Sequence, residues 1–199
     1  DLGSGAMNAY SFYLYGSPFF WFSLLFPQRW LPYLMVPLLV LKFGVAGGGA
    51  YLYLKRYVKN WDYAVLGACL YALSGFAVYN VFFNHFVDVV ALFPYLLWAL
   101  DEAMYNKCHG LFAFWVAVNL LNNYFFFAGQ VVFLAIYFVC KLTTGDYRLT
   151  VKRFVQLAFE SLLGVAMGCL LLVPAVLSLL QNPRTIDLAS GWGFLTYGK

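Results

Sequence analysis

Apolar runs separated by short polar connections divide the chain into six segments, at about 31–54, 63–83, 89–105, 108–121, 124–141 and 154–179. None shows the alternation of a barrel strand. An open sheet edge does not survive in hydrocarbon, so runs of this kind are expected to be helices, whose backbone groups are satisfied within the segment. The first, second and last have the roughly 20 residues needed to cross a bilayer. The middle ones are shorter, and 108–121 reads as a half-span unless it continues through "NNYFFF". The expected fold class is all-α: a polytopic transmembrane helical bundle of about six membrane segments.

Residues 1–30 break the pattern. They are aromatic, interrupted by Gly and Pro, and without flanking basic charge, which predicts an external loop with short interfacial helices, where Tyr and Trp are favoured. The expected division is this loop at 1–30, the bundle at 31–180, and a second external loop at 181–199. Because the chain opens on Asp1 and ends in the loop-like "GWGFLTYGK", it is expected to be a piece of a longer protein, with a C-terminal part beyond Lys199.

Composition sharpens the membrane reading. The chain is 64% hydrophobic and 10% charged over 199 residues, against roughly 25% charged in an ordinary soluble domain. So little polar surface could not cover a soluble core of this size. Of the twelve basic residues, Lys55, Arg56, Lys59, Lys107, Lys141, Arg148, Lys152 and Arg153 fall in the connections after the first, third and fifth segments. The positive-inside rule makes those connections cytoplasmic, and it places "NHFVD" (84–88) and the Asn122-Asn123 turn outside. The net charge of +4 follows largely from this topology. No basic run with interleaved aromatics points to nucleic acid. Cys69, Cys108, Cys140 and Cys169 lack zinc or redox spacing and read as small apolar packers.

Few residues are left to carry chemistry. Asp88 stands at the external hairpin, one helical turn after His85. It reads as a helix N-cap, as a general base or ligand of a divalent cation assisted by the imidazole, or as plain surface charge. Lys42 lies inside the first span, where charge is costly and usually functional. It either snorkels to the outer interface or grips a phosphate there. Gly47, Gly48 and Gly49 suit close helix packing. Asp1 opens the turn "DLGSG". Asn122, Asn123 and Tyr124 form a polar rim able to bond a sugar, or simply end one helix and start the next. Glu160 reads as a structural partner of a neighbouring helix, and Gln130 as a cross-helix hydrogen bond. "DEAMYNK" (101–107) and "KLTTGDYRLTVKR" (141–153) read as solvated or headgroup-facing connectors. No Ser/His/Asp set, HExxH, Walker motif or GxGxxG can be assembled.

The stretches "GSGAMNAYSFYLYGSPFFWFSLLFP", "NHFVDVVALFPYLLWALDEAM", "NNYFFFAGQVVFLAIYFV" and "FESLLGVAMGCLLLVPAVLSLLQNPR", in this order, resemble the bacterial YfhO family of polytopic membrane proteins. The features that carry the resemblance are Ser17-Pro18 in the aromatic loop, Asp88 in the polar hairpin, the Asn-Tyr start of the fifth segment, and Pro174. That family is similar to membrane glycosyltransferases of the GT-C class. The resemblance therefore implies transfer of a sugar from a polyprenyl-phosphate donor in the bacterial cell membrane to a cell-envelope acceptor such as lipoteichoic acid. GT-C enzymes keep essential acidic residues in their external loops, which makes Asp1 and Asp88 the expected catalytic residues if a span precedes residue 1. Lys42, Arg29 and His85, with Asn122, Asn123 and Tyr124, are the expected substrate-binding residues, with Lys42 or Arg29 facing the phosphate. Dependence on a divalent cation is left open. Two other classes are carried alongside: a lipid or small-molecule transporter or flippase, and a non-catalytic assembly factor. Transport calls for paired ionisable groups inside the spans, and the sequence shows no second buried charge matched to Lys42, which ranks it lower.

Overall fold

The computed structural model describes residues 15–106, 108–147 and 150–180, and among them every regular element is helical. A short helix α1 (Pro18–Ser23) and a 3-10 turn (Gln28–Trp30) lead into α2 (Leu31–Leu54). The second apolar run is broken in two, α3 (Trp61–Ala72) and α4 (Gly75–Tyr79), followed by a turn at Asn80–Phe82. The interruption falls at Leu73-Ser74, just before Gly75, where helix propensity drops. Helix α5 is Asn84–Tyr105, α6 Leu111–Asn122, α7 Tyr124–Thr143 and α8 Val151–Leu180.

Local chemistry sets these boundaries. Pro32 falls in the opening turn of α2, where its missing N–H costs nothing. Asn60 caps α3 by accepting the Asp62 amide at 3.0 Å. Gly110, at φ 81°, makes the left-handed turn into α6. Asn123 alone separates α6 from α7 and caps α7 through the amides of Phe125 and Phe126. Helix α6, at about 18 Å long, is too short to cross a bilayer. The pieces from Gln28 to Leu54, Trp61 to Phe82, Tyr124 to Thr143, and Val151 to Leu177 are long and apolar enough to do so.

Side-chain pairs fix the directions. Lys42 of α2 meets Asp88 of α5, and Arg56, just past α2, meets Glu102 of α5, so the two helices run parallel. The two contacts lie on the order of 20 Å apart along the bundle. At the Lys42 end the rings of Phe86 and Phe126 pack. At the other end Tyr53 and Tyr57 both reach Tyr137, so α7 runs with α5. His109 bonds Gln156, so α6 and α8 also start at this second end.

Small residues let the helices close up. A Cβ on Gly49 would lie 2.6 Å from the Tyr95 ring, and one on Gly164 would lie 2.6 Å from the Ala113 carbonyl. Tyr95 donates to Val45 O at 3.0 Å, and Tyr71 donates to Val90 O at 2.9 Å, satisfying both phenols inside the bundle. The buried core runs through Leu96, Leu100, Phe112, Val116, Leu120 and Phe127. The outer surface is apolar, with Val36, Val132, Ile136, Leu162 and Leu170 exposed, as lipid demands. Cys69, Cys108 and Cys140 are exposed as well, which corrects their reading as packers: they stand on the outer surface.

Candidate functional site

Three consecutive residues bring the N-terminal loop onto the bundle. Gly16 lies so close to the end of α6 that a Cβ there would fall 1.5 Å from the Leu121 carbonyl oxygen. Ser17 caps α1 by accepting the Phe20 amide at 3.3 Å, and Pro18 opens the helix. The Ser17 hydroxyl then donates to Asp88 Oδ2 at 2.6 Å. Docking of the loop and anchoring of a carboxylate are thus one structural event.

Asp88 is the fifth residue of α5 and does not cap it. The helix starts at Asn84 because nothing in "NHFVD" breaks it; the irregular backbone belongs to Phe83 (φ −96°, ψ 73°). The expected external hairpin is therefore already helix, and Asp88 turns inward, 3% exposed. Lys42, 5% exposed, comes from α2 to within 2.5 Å of Asp88 Oδ1. It also donates to Asn84 Oδ1 at 2.7 Å and to Asn84 O at 3.2 Å. Three oxygens thus surround the ammonium, and the Phe19 ring lies 5.4 Å away. The expectation that Lys42 lacks a buried countercharge is overturned: Asp88 supplies it. Asn84 and Asp88 are one helical turn apart and share a face of α5.

A cavity of about 250 Å³ opens beside this pair, lined by Ser17, Phe19, Phe20, Lys42, His85 and Asp88 among others. Its walls combine aromatic carbon with one cation, one carboxylate and one imidazole. Buried charge next to open space is the usual setting of a binding site. Among the described residues no three His, Cys, Asp or Glu side chains gather as a metal ion's ligands.

The other expected site residues do not meet here. Asp1 lies outside the described residues. Arg29 is exposed in the 3-10 turn and does not line the cavity. Asn122 and Asn123 are buried, Asn123 serving as the α7 cap, and Tyr124 packs against the apolar core. Of the two readings open for these residues, the geometry fits helix ending and starting. Ser17 and Asn84 enter the site only with the structure. Each has a signal in the chain: Gly-Ser-Pro is a capping sequence, and Asn84 precedes Asp88 by four.

A second charged cluster, at the opposite end of α5, revises the view of the connectors as solvated. Asp101 is 1% exposed. It accepts hydrogen bonds from Tyr57 at 2.5 Å, from Tyr137 at 3.0 Å and from Tyr147, with Arg56 4.0 Å away. Burial, reinforced by the bond to Asp101, pushes the Tyr57 and Tyr147 phenols well above the ordinary tyrosine range. Asp146 is exposed, and its bond to Lys141 holds its carboxyl below the usual carboxylate range. Glu160, also buried, accepts from Gln156 at 3.1 Å with His109 at 3.9 Å. Gln130 is buried, and its carbonyl oxygen has no hydrogen-bond partner among the described residues.

The chain matches the family model described as bacterial membrane protein YfhO over residues 1–195. No curated protein and no solved structure matches it. The match takes in the loop carrying Ser17, both partners of the buried ion pair and the eight α-helices of the described residues, and the chain belongs to the YfhO family of bacterial membrane proteins.

Proposed function

We propose that the chain is the membrane core of a GT-C-type glycosyltransferase that moves a sugar from a polyprenyl-phosphate donor to a cell-envelope acceptor such as lipoteichoic acid. The observation that carries this reading is the aromatic-walled cavity under α1, with Lys42 and Asp88 side by side on its wall. Membrane lipid, the lipid-linked donor and the acceptor are the partners it requires. The end bearing Lys55, Arg56 and Lys141 is cytoplasmic by the positive-inside rule, so the cavity faces the envelope side, where a lipid-borne sugar is presented.

In this mechanism the acceptor hydroxyl gives its proton to the Asp88 carboxylate as its oxygen attacks the anomeric carbon. The bond from that carbon to the phosphate oxygen breaks, and the electron pair leaves with polyprenyl phosphate. Lys42 offsets the charge that develops on the leaving phosphate. His85 lines the same space and contacts the acceptor or the headgroup. Asp1 and Arg29, from the same stretch of sequence, remain candidates for a second catalytic carboxylate and for a phosphate contact. Asn122, Asn123 and Tyr124 are at most supports for the docked loop.

Transport is the second reading, and one observation favours it: an ion pair buried between helices is what a transporter places along its substrate path. Against it, Asp88 stands in the second turn of α5, which puts the pair near one end of the bundle. The full-length protein in liposomes, given a radiolabelled polyprenyl-phosphate sugar and acceptor, separates the two. Transfer gives labelled acceptor. Label that crosses the bilayer still attached to its lipid, with no new covalent product, would establish transport instead.

A further inference from the structure

Lys42 and Asp88 cannot both do their proposed work while each is the other's partner. Nζ has three oxygens within 3.2 Å, one from Asp88 and two from Asn84. On the carboxylate, Oδ1 faces the ammonium and Oδ2 holds the Ser17 hydroxyl. The cation has an oxygen for each of its three N–H groups and none to spare for a phosphate, and the carboxylate is held by the ammonium on one oxygen and by Ser17 on the other, with its charge offset by Lys42. Both nonetheless line a space of about 250 Å³, room for on the order of eight waters. Separating a buried pair with nothing in exchange is strongly unfavourable, so the empty protein keeps it closed.

We propose that the pair is a self-masked anion site. A phosphate group entering the cavity exchanges places with Asp88 as the partner of Lys42, and the carboxylate becomes free to accept a proton only once the phosphate is seated. This deepens the glycosyltransferase reading and rests on it for the identity of the phosphate. The surroundings suit a short exchange. Asn84 keeps two contacts on Nζ while Oδ1 is given up, and Phe19 stays beneath the cation. Ser17, fixed by Gly16 and the α1 cap, holds Oδ2 so that the released carboxylate does not swing away. The number of ion pairs is the same before and after. The consequence is order: donor first, acceptor deprotonation second, without a reactive base exposed to water in between.

A site of this kind has an unusual signature, because Asp88 competes with the ligand for Lys42. The test uses the full-length protein in neutral detergent micelles, with polyprenyl monophosphate, inorganic phosphate and uncharged polyprenol as probes. D88N is expected to bind polyprenyl monophosphate roughly tenfold more tightly than the wild type, and K42M at least tenfold more weakly. Polyprenol should bind all three proteins alike. Inorganic phosphate should follow the same order at lower affinity if the headgroup alone drives the exchange, and an order confined to the lipid probe assigns the site to lipid-borne phosphate. D88N binding that is unchanged or weaker, in protein that melts like the wild type, overturns the proposal. Should D88N fail to fold, carbodiimide labelling of Asp88 in the wild type decides: polyprenyl monophosphate should raise it, and unchanged or slower labelling overturns the exchange. Failure of the function is separately visible. Tighter binding by D88N without sugar transfer by the wild type would sink glycosyl transfer and leave the exchange standing.

Discussion

Helix α5 carries two buried aspartates, Asp88 near its start and Asp101 near its end, and each faces a basic residue of the α2 region. The two are finished differently. Asp101 receives three phenols, with Arg56 beyond them, and Tyr147, itself buried, seals the connection before α8 to the bundle. Asp88 receives one hydroxyl and one ammonium, and beside it is open space. A carboxylate saturated by rigid phenols is a fastener: its bonds tie α2, α5, α7 and the last connector together. A carboxylate held by one lysine next to a cavity is adjustable, because a ligand or water can replace what is lost. Burial alone therefore does not distinguish the two aspartates; what lies on the free side of the charge does.

The largest effect on stability should come from breaking the fastener. Asp101→Ala takes the acceptor from three phenols, of which Tyr147 is buried while Tyr57 and Tyr137 keep each other as partners, and it leaves Arg56 without that carboxylate. At about 1–3 kcal/mol for a stranded buried hydroxyl, a loss of roughly 3 kcal/mol overall is expected. Thermal unfolding of the purified protein in detergent measures it. Asp88→Ala should cost less than half as much, since the adjoining cavity lets water reach Lys42. Equal losses at the two sites would erase the distinction.

Next comes the docking of the loop. Gly16→Val places a branched side chain against the Leu121 backbone, which cannot move without unwinding α6. A destabilisation of about 1–3 kcal/mol is expected, and with Ser17 drawn off Asp88 sugar transfer should fall further than stability does. Gly75→Val, where a Cβ meets open space, is the control and should leave transfer intact.

Smaller is the phenol bond itself. Tyr147→Phe removes one donor to Asp101 at about 1 kcal/mol and changes the alkaline limb of stability. The raised phenols of Tyr57 and Tyr147 keep their protons in the folded state where the unfolded chain loses them. Their contribution is therefore intact below the ordinary tyrosine pKa of about 10 and lost as pH rises beyond it. Melting between pH 8 and 11 should show a steeper alkaline decline for the wild type than for Tyr147→Phe. Least affected should be Tyr53→Phe, which removes a phenol bonded to the Tyr137 hydroxyl and not to Asp101 and is expected to cost about 0.5 kcal/mol.

The helices of this bundle were legible because their cause is local. Residues 31–54 form α2 to the residue, since apolar length and Pro32 lie within that stretch and the basic stop at Lys55 directly follows it. The break at Leu73-Ser74 was not, because it divides a continuous apolar run with only a modest propensity signal at Ser74-Gly75. Asp88, Lys42 and His85 could be singled out one by one, as charge or imidazole out of place in an apolar chain, and all three line one cavity. That Asp88 and Lys42 are partners could not be seen, because it depends on α2 and α5 running parallel. Asp101 sat in a charged string that reads as solvated, and only the tyrosines of three other segments, folded over it, make it interior.

The most direct measurement sets Asp88→Asn beside Asp101→Asn in the full-length protein, recording sugar transfer and melting temperature for both. Asp88→Asn should lose transfer by at least about 100-fold while melting within a few degrees of the wild type, and Asp101→Asn should melt well below it while the surviving folded fraction still transfers sugar. Full transfer by well-folded Asp88→Asn would remove the Lys42 cavity from the chemistry.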